Sequence, residues 1–217
     1  MKILAIDGAL GEFSTAIFAG ERVVATATEP GGSALERGLG AMQSVLRDAA
    51  IQGTDLDRIA VGIGPGGFTG LRIAIAYAKS LATAWRKPLV AVSSFDLLEY
   101  GTSLERALTV VVGRPGVISA RFRDGNAVLR ASGRIADVLG ELFAGGAPSG
   151  IVNVVAAPKD VLDALAERRI EVHPVNPAVT PAAAAAALAA VTRVPANSVH
   201  EVTADYGELP AVTTPKR

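Results

Sequence analysis

Residues 59 to 72 read Ile-Ala-Val-Gly-Ile-Gly-Pro-Gly-Gly-Phe-Thr-Gly-Leu-Arg: an apolar strand, a loop dense in glycine, and the start of a helical pattern. Gly64, Gly66, Gly67 and Gly70 crowd together only where a backbone turns tightly, takes a positive φ, or admits another backbone or a ligand at close range. The segment therefore marks a site or a contact. Its first part, Gly62-Ile63-Gly64-Pro65-Gly66-Gly67, satisfies G-x-G-x-x-G between a strand and a helix, the context a dinucleotide site requires. Pro65 removes one amide that could face a phosphate, and no acidic residue ends a strand about 20 residues on, where a ribose partner belongs. Nor does a Lys-Ser/Thr pair follow the glycines, so this is not a P-loop.

Around this segment the hydrophobic pattern predicts strands at 3–7, 14–19 and 22–28, a helix over 33–51, a strand at 59–63, a helix over 69–85, a strand at 89–92 and a short helix at 94–100. Apolar runs at 107–112, 117–122 and 126–131 follow, then a helix near 134–143, a strand at 151–155, a helix near 158–168, a strand at 170–174 and a helix over 181–192. The second series repeats the first element for element, which is an α/β class made of a duplicated unit. The expected boundaries are an N-terminal lobe at 1–103, a C-terminal lobe at 104–194 and a tail at 195–217 that is partly extended and poorly ordered.

In the first long helix Leu35, Leu39, Met42, Leu46 and Ala49 recur at helical spacing and read as the core face, with Ser33 as N-cap. Ala34, Gly38, Ala41 and Val45 form a second face of small residues, and Ile73, Ala76 and Ser80 lie off the main stripe of the second helix. Glycine inside a helix costs about 1 kcal/mol against alanine, so Gly38 and Gly40 point to close packing by another element, from this chain or from a partner.

Charge and composition exclude several classes. The 21 basic and 21 acidic residues balance, leaving no overall field to attract nucleic acid. Zero cysteines exclude disulfides, thiolate catalysis and thiol-bound metals. The apolar start is too short for a signal peptide and no run suits a membrane span, so the expectation is a cytoplasmic protein without membrane contact. His173 and His200 stand 27 residues apart without ligand spacing, and Gly-x-Ser-x-Gly is missing, so neither a zinc site nor a hydrolase triad is expected. Asp7 ends the first strand beside a glycine-rich turn, where two readings stand: a metal-nucleotide carboxylate, or an aspartate bonding its own turn.

Ile3-Leu4-Ala5-Ile6-Asp7, the capped helix, and Gly64-Pro65-Gly66-Gly67-Phe68-Thr69-Gly70-Leu71-Arg72-Ile73 together resemble the bacterial TsaB (YeaZ) family over about residues 1 to 95. The resemblance implies the duplicated actin/Hsp70/sugar-kinase-like (ribonuclease H-like) fold, with two lobes of βββαβαβα type. It implies a non-catalytic scaffold that supports a TsaD-like catalytic subunit, with a TsaE-like ATPase, in forming N6-threonylcarbamoyladenosine at position 37 of tRNAs reading codons that begin with A. On this reading the chain carries no cofactor or metal of its own, ATP/ADP and metal belonging to the partners, and tRNA is met only through the complex. The partner or homodimer interface is carried to Ala34, Gly38, Ala41, Val45, Phe68, Arg72, Ile73, Ala76 and Ser80, and Gly64 to Gly70 form the signature loop.

The chain departs from the family pattern where Ala34 and Gly40 replace a common His and Pro, in Val112-Gly113-Arg114-Pro115-Gly116-Val117-Ile118-Ser119, and at Tyr206-Gly207-Glu208. The alternatives are a nucleotide-binding phosphotransferase of the same fold that uses Asp7, and the peptidase suggested by an older glycoprotease label. Against the latter, no nucleophile, base or metal-ligand set stands out in the sequence.

Overall fold

The computed structural model describes residues 1–191 and 194–207. The chain opens with strands β1 (Lys2–Asp7), β2 (Glu12–Ala19) and β3 (Arg22–Pro30), then helix α1 (Ala34–Asp48), β4 (Arg58–Gly62), α2 (Phe68–Trp85), β5 (Leu89–Val92) and α3 (Ser94–Leu98). The order recurs as β6 (Arg106–Arg114), β7 (Val117–Asp124), β8 (Ala127–Arg134), α4 (Ile135–Leu142), β9 (Val152–Val155), α5 (Lys159–Glu167), β10 (Val172–Val175) and α6 (Pro181–Val191). One sheet runs β3-β2-β1-β4-β5 and the other β8-β7-β6-β9-β10. In each, the first three strands are antiparallel and the last two join in parallel. The duplicated α/β architecture expected from the element order is the one adopted.

Sheets with helices on both faces bury every residue of their central strands. β1 accordingly points Leu4 and Ile6 into one core with α1 and α2, and Ile3 and Ala5 into another with α6. Alanines 182 to 187 and 189 of α6 are all buried, which suits a helix that is apolar all round and covered on all sides. Packing groups the helices differently from chain order. α6, late in the second series, lies on β1, β2 and β4 of the first sheet, and its Ala182 amide donates to the Ser14 hydroxyl of β2 (3.2 Å). Conversely α3 sends Phe95 and Leu98 against Val111 and Val155 of the second sheet.

An ion-pair cluster ties α3 to β7. Arg121 is bonded to Asp96 (2.7 Å) and to Glu99 (2.9 Å), and Arg123 reaches the other Glu99 oxygen (2.5 Å). Thr109 of β6 donates its hydroxyl to Glu99. Removing one member of such a buried set strands the others' charge and costs about 3 to 5 kcal/mol.

Helix α1 differs from the sequence expectation in its rotation. Ala34, Gly38, Ala41, Met42 and Val45 face the core, while Leu35 and Leu39 are 67% and 46% exposed. The cause is steric: α1 crosses close above Phe13, whose ring is met edge-on by Tyr77 (6.1 Å), and only a face of small residues admits that approach. Ser33 precedes the helix, but its hydroxyl donates to the Pro30 carbonyl and does not cap α1. Within the expected tail, Ala196 donates its amide to the Leu89 carbonyl and Val202 is buried in the first core, while 208–217 lie outside the described residues.

The two α1 glycines separate the consequences. A methyl at Gly38 would press on the Phe13 and Tyr77 rings, whereas one at Gly40 meets nothing. Gly40→Ala should raise stability by about 0.5–1 kcal/mol through helix propensity, and Gly38→Ala should lower it by roughly 1–3 kcal/mol through overpacking. Urea unfolding of both variants checks this, and effects of the same sign would contradict the placement of α1.

Candidate functional site

The loop from β4 to α2 lies against the turn that follows β1. The Gly67 amide donates to the Ala9 carbonyl (2.7 Å). A Cβ on Gly8 would overlap the Gly70 carbonyl, one on Gly70 would overlap the Gly8 carbonyl, and one on Gly66 would overlap the Ala9 carbonyl. Gly64, at φ +95°, turns toward the Asp205 carbonyl, where a Cβ would also overlap. The Cβ directions of Gly8, Gly64, Gly66 and Gly70 are thus taken by the chain's own backbone, while Gly8, Gly67 and Gly70 also line a cavity of about 520 Å³ that opens beside Phe68.

Asp7 ends β1 with its side chain fully buried. One carboxylate oxygen accepts the Ala9 and Leu10 amides (3.1 and 3.4 Å), as a turn aspartate does. The other has no partner and points where a Gly62 side chain would stand, beside Leu97. Burial pushes the Asp7 carboxyl up to about 7, against the lowering effect of the Leu10 and Ala9 amides. The Ser94 hydroxyl, at the start of α3, is likewise buried without a partner.

A nucleotide with its cation does not fit these residues. The carboxyl that would face the cation is fully buried, and the two amides next to it are taken by the carboxyl itself. Among the described residues no cluster of three or more His, Cys, Asp or Glu is placed to hold a metal ion. His173 and His200 are both exposed, on β10 and in the 3-10 turn Val199–Glu201. Val112 to Ser119 form the β6–β7 hairpin.

The other side of the loop faces outward. Phe68, the first residue of α2, is 55% exposed, with the Arg72 guanidinium 5.1 Å from its ring centre on one side and the Tyr206 ring 5.0 Å away on the other. Thr69, Ala76 and Ser80 are exposed on the same helix and Ile73 is half-buried. Leu35 of α1 lines a groove with Phe68 and Ile73, and Tyr77 donates its hydroxyl to the Leu35 carbonyl (2.8 Å), holding the two helices together. Of the nine residues expected at an interface, Phe68, Arg72, Ile73, Ala76 and Ser80 thus lie on a surface. Ala34, Gly38, Ala41 and Val45 are covered by this chain's own core, because the small face of α1 admits Phe13 and Tyr77. Leu35 and Leu39 take the outward place on α1. Sequence reasoning missed Tyr206 and the Arg121–Glu99 cluster; an arginine at position 121, inside an apolar strand run, was a signal for the latter.

Comparison with known proteins bears on this arrangement. The family model described as "TsaD: tRNA N6-adenosine threonylcarbamoyltransferase" matches residues 34–159. The chain is similar to the tRNA threonylcarbamoyladenosine biosynthesis protein TsaB of Escherichia coli, at 33% identity over 112 residues covering 52% of this chain and 48% of that one. To the protein of the same name from Bacillus subtilis it is 37% identical over 101 residues, 45% of this chain and 43% of that one. The matches therefore span a little under half the length of these relatives. The solved structure of YeaZ from Pseudomonas aeruginosa shares the fold, with a TM-score of 0.71 at 22% identity over 94% of this chain and 99% of that one. No helix of the described residues is long and apolar enough to cross a membrane.

The buried carboxyl has a measurable signature. Folded, Asp7 keeps its proton to about pH 7; unfolded, it loses it near the ordinary value of about 4. The native state then binds more protons between those values, and Asp7 makes it less stable as pH rises, by at most about 1.4 kcal/mol per pH unit. Asp7→Asn removes that slope. The unfolding midpoint of the variant relative to the parent should move in the variant's favour from pH 4 to pH 8, and a difference constant with pH would refute the sealed, neutral carboxyl.

Proposed function

The chain belongs to the family described as TsaD, tRNA N6-adenosine threonylcarbamoyltransferase, and within it to the TsaB (YeaZ) group, and from that premise we propose that it is a non-catalytic docking subunit in threonylcarbamoyladenosine biosynthesis. Its partner is a TsaD-like catalytic subunit, which holds nucleotide and metal, and tRNA is engaged through the assembled complex. A TsaE-like ATPase is the third member. A homodimer of the isolated chain uses the same helices.

The observation that carries this reading is the pairing of an outward apolar surface with an inward site unsuited to chemistry. Leu35, Leu39 and Phe68 remain exposed on two helices joined by the Tyr77–Leu35 bond, with Ile73 between them in the groove. Three large exposed apolar side chains on one face mark an interaction surface more often than a solvated one. The phosphotransferase reading is disfavoured, because Asp7 is fully buried and the amides beside it are bonded to its own carboxylate. The surface the sequence placed at Ala34 and Ala41 is replaced, in this proposal, by Leu35, Leu39, Phe68, Arg72, Ile73, Ala76 and Ser80.

Co-purification with the TsaD-like protein of the same genome tests the proposal. Leu39→Arg or Ile73→Arg should reduce the complex roughly tenfold or more, the cost typical of a central interface residue. The melting temperature of the isolated chain should change little, whereas Ala41→Arg should unfold it. A complex indifferent to Leu39→Arg and Ile73→Arg removes this face as the docking site, and unchanged threonylcarbamoyladenosine in tRNA after depletion of the chain removes the pathway assignment.

A further inference from the structure

Residues 202–207 lie across the ends of the central strands, and we propose that they act as a strap that seals the crevice between the two sheets and is fastened to the outward face of α2. Open α/β sheets take ligands outside the carboxyl ends of their strands, where the direction of strand succession reverses. In the first sheet that place is between β1 and β4. Here it is occupied by the chain itself.

The strap has four fastenings. Val202 is buried in the first core. The Asp205 amide donates to the Ile63 carbonyl just beyond β4 (2.7 Å), and the Asp205 carbonyl fills the space left by Gly64. Tyr206 stacks on Phe68. Gly207, held by the Asp205 carboxylate through its amide (2.9 Å), lies between Pro65 of the first half and Ser119 of β7, so close to both that it has no room for a side chain. The strap thereby spans both halves.

It also divides the space between them. On one side stand the carboxyl ends of β1 and β4, and the Ser94 amide donates to the carbonyl of Gly64 (2.7 Å), the residue on which the Asp205 carbonyl rests, with the Ser94 hydroxyl unpartnered. On the other side a separate cavity of about 330 Å³ remains, lined by Phe95, Ser119, Arg130 and Ser132, with Asp205 and Gly207 as one wall. Because Tyr206 rests on Phe68, whatever changes the environment of Phe68 on the α2 face changes the hold of the strap. This device requires no partner, and its test is independent of the docking proposal.

The absence of cysteine makes the test direct. Ser94→Cys places the sole thiol of the full chain in the buried site bonded to Gly64, beside the strap's attachment, at the cost of no side-chain hydrogen bond. Its modification by a soluble disulfide reagent is timed in three backgrounds: intact strap, Asp205→Pro, which deletes the amide bonded to Ile63, and Phe68→Ala, which deletes the far fastening. Amide exchange of core strands β1 and β4 is followed in parallel. The thiol should react slowly with the intact strap, roughly tenfold or more faster with Asp205→Pro, and by an intermediate factor with Phe68→Ala, while core exchange stays unchanged. Equal rates in all three backgrounds, or acceleration that core exchange matches, overturn the strap. Acceleration by Asp205→Pro alone overturns the coupling to α2. Should the thiol variant fail to fold, exchange of the Ser94 amide in Tyr206→Ala replaces it, with faster exchange expected and an unchanged rate counting against the proposal.

Discussion

The contact on which most of this structure depends is made by backbone alone: the turn after β1 pressed against the loop that opens α2. Gly8 meets Gly70, Gly66 meets Ala9, and one hydrogen bond from Gly67 to Ala9 fixes the register between them. Parallel β1 and β4 lie side by side, so their following turns compete for the same space. Side chains would force them apart; without Cβ atoms they merge. That merger sets the direction of α2, closes the lid over Asp7 and leaves Gly64 open toward Asp205. The same crowding explains why glycines gather at this strand end without any need for a ligand: side chains at Gly8, Gly66 and Gly70 would strike backbone.

The duplication imposes a second constraint. The second face of the first sheet is covered by α6 from the other half together with Leu97 of α3, while Phe95 and Leu98 of α3 pack on the second sheet. The contact is secured by polar groups, with Ser14 accepting an amide of α6 and Arg121 gripping Asp96 of α3 and Glu99 just beyond its end. Relative motion of the halves has to break these bonds in a poorly solvated place, where an unpaired charge costs far more than at the surface. The halves are therefore joined by polar contacts as well as by packed helices.

The sequence revealed the periodic and repeated parts because those depend on local chemistry. Alternation and apolar runs placed the ten strands within a few residues, and β1 was legible from its first seven residues. What it hid depended on which neighbour arrives. Leu35 and Leu39 fit a core stripe as well as Met42 does, and only the bulk of Phe13 beneath α1 decides that glycine and alanine turn inward. The helix at 181–191 was legible from Thr180 and Pro181, but not its place on the first sheet, since an alanine helix carries no face to aim with. Tyr206 sits in a stretch without periodicity, and its role arises from Gly64, more than a hundred residues earlier.

The signature loop does two things at once because a helix start has two sides. Gly66, Gly67 and Gly70 lie against the β1 turn, while Phe68 between them stands exposed against Arg72 and Tyr206. For the same reason the loop's glycines and its Phe-Thr-Gly-Leu-Arg run form a single physical unit, and a surface built this way is shaped by the core that carries it.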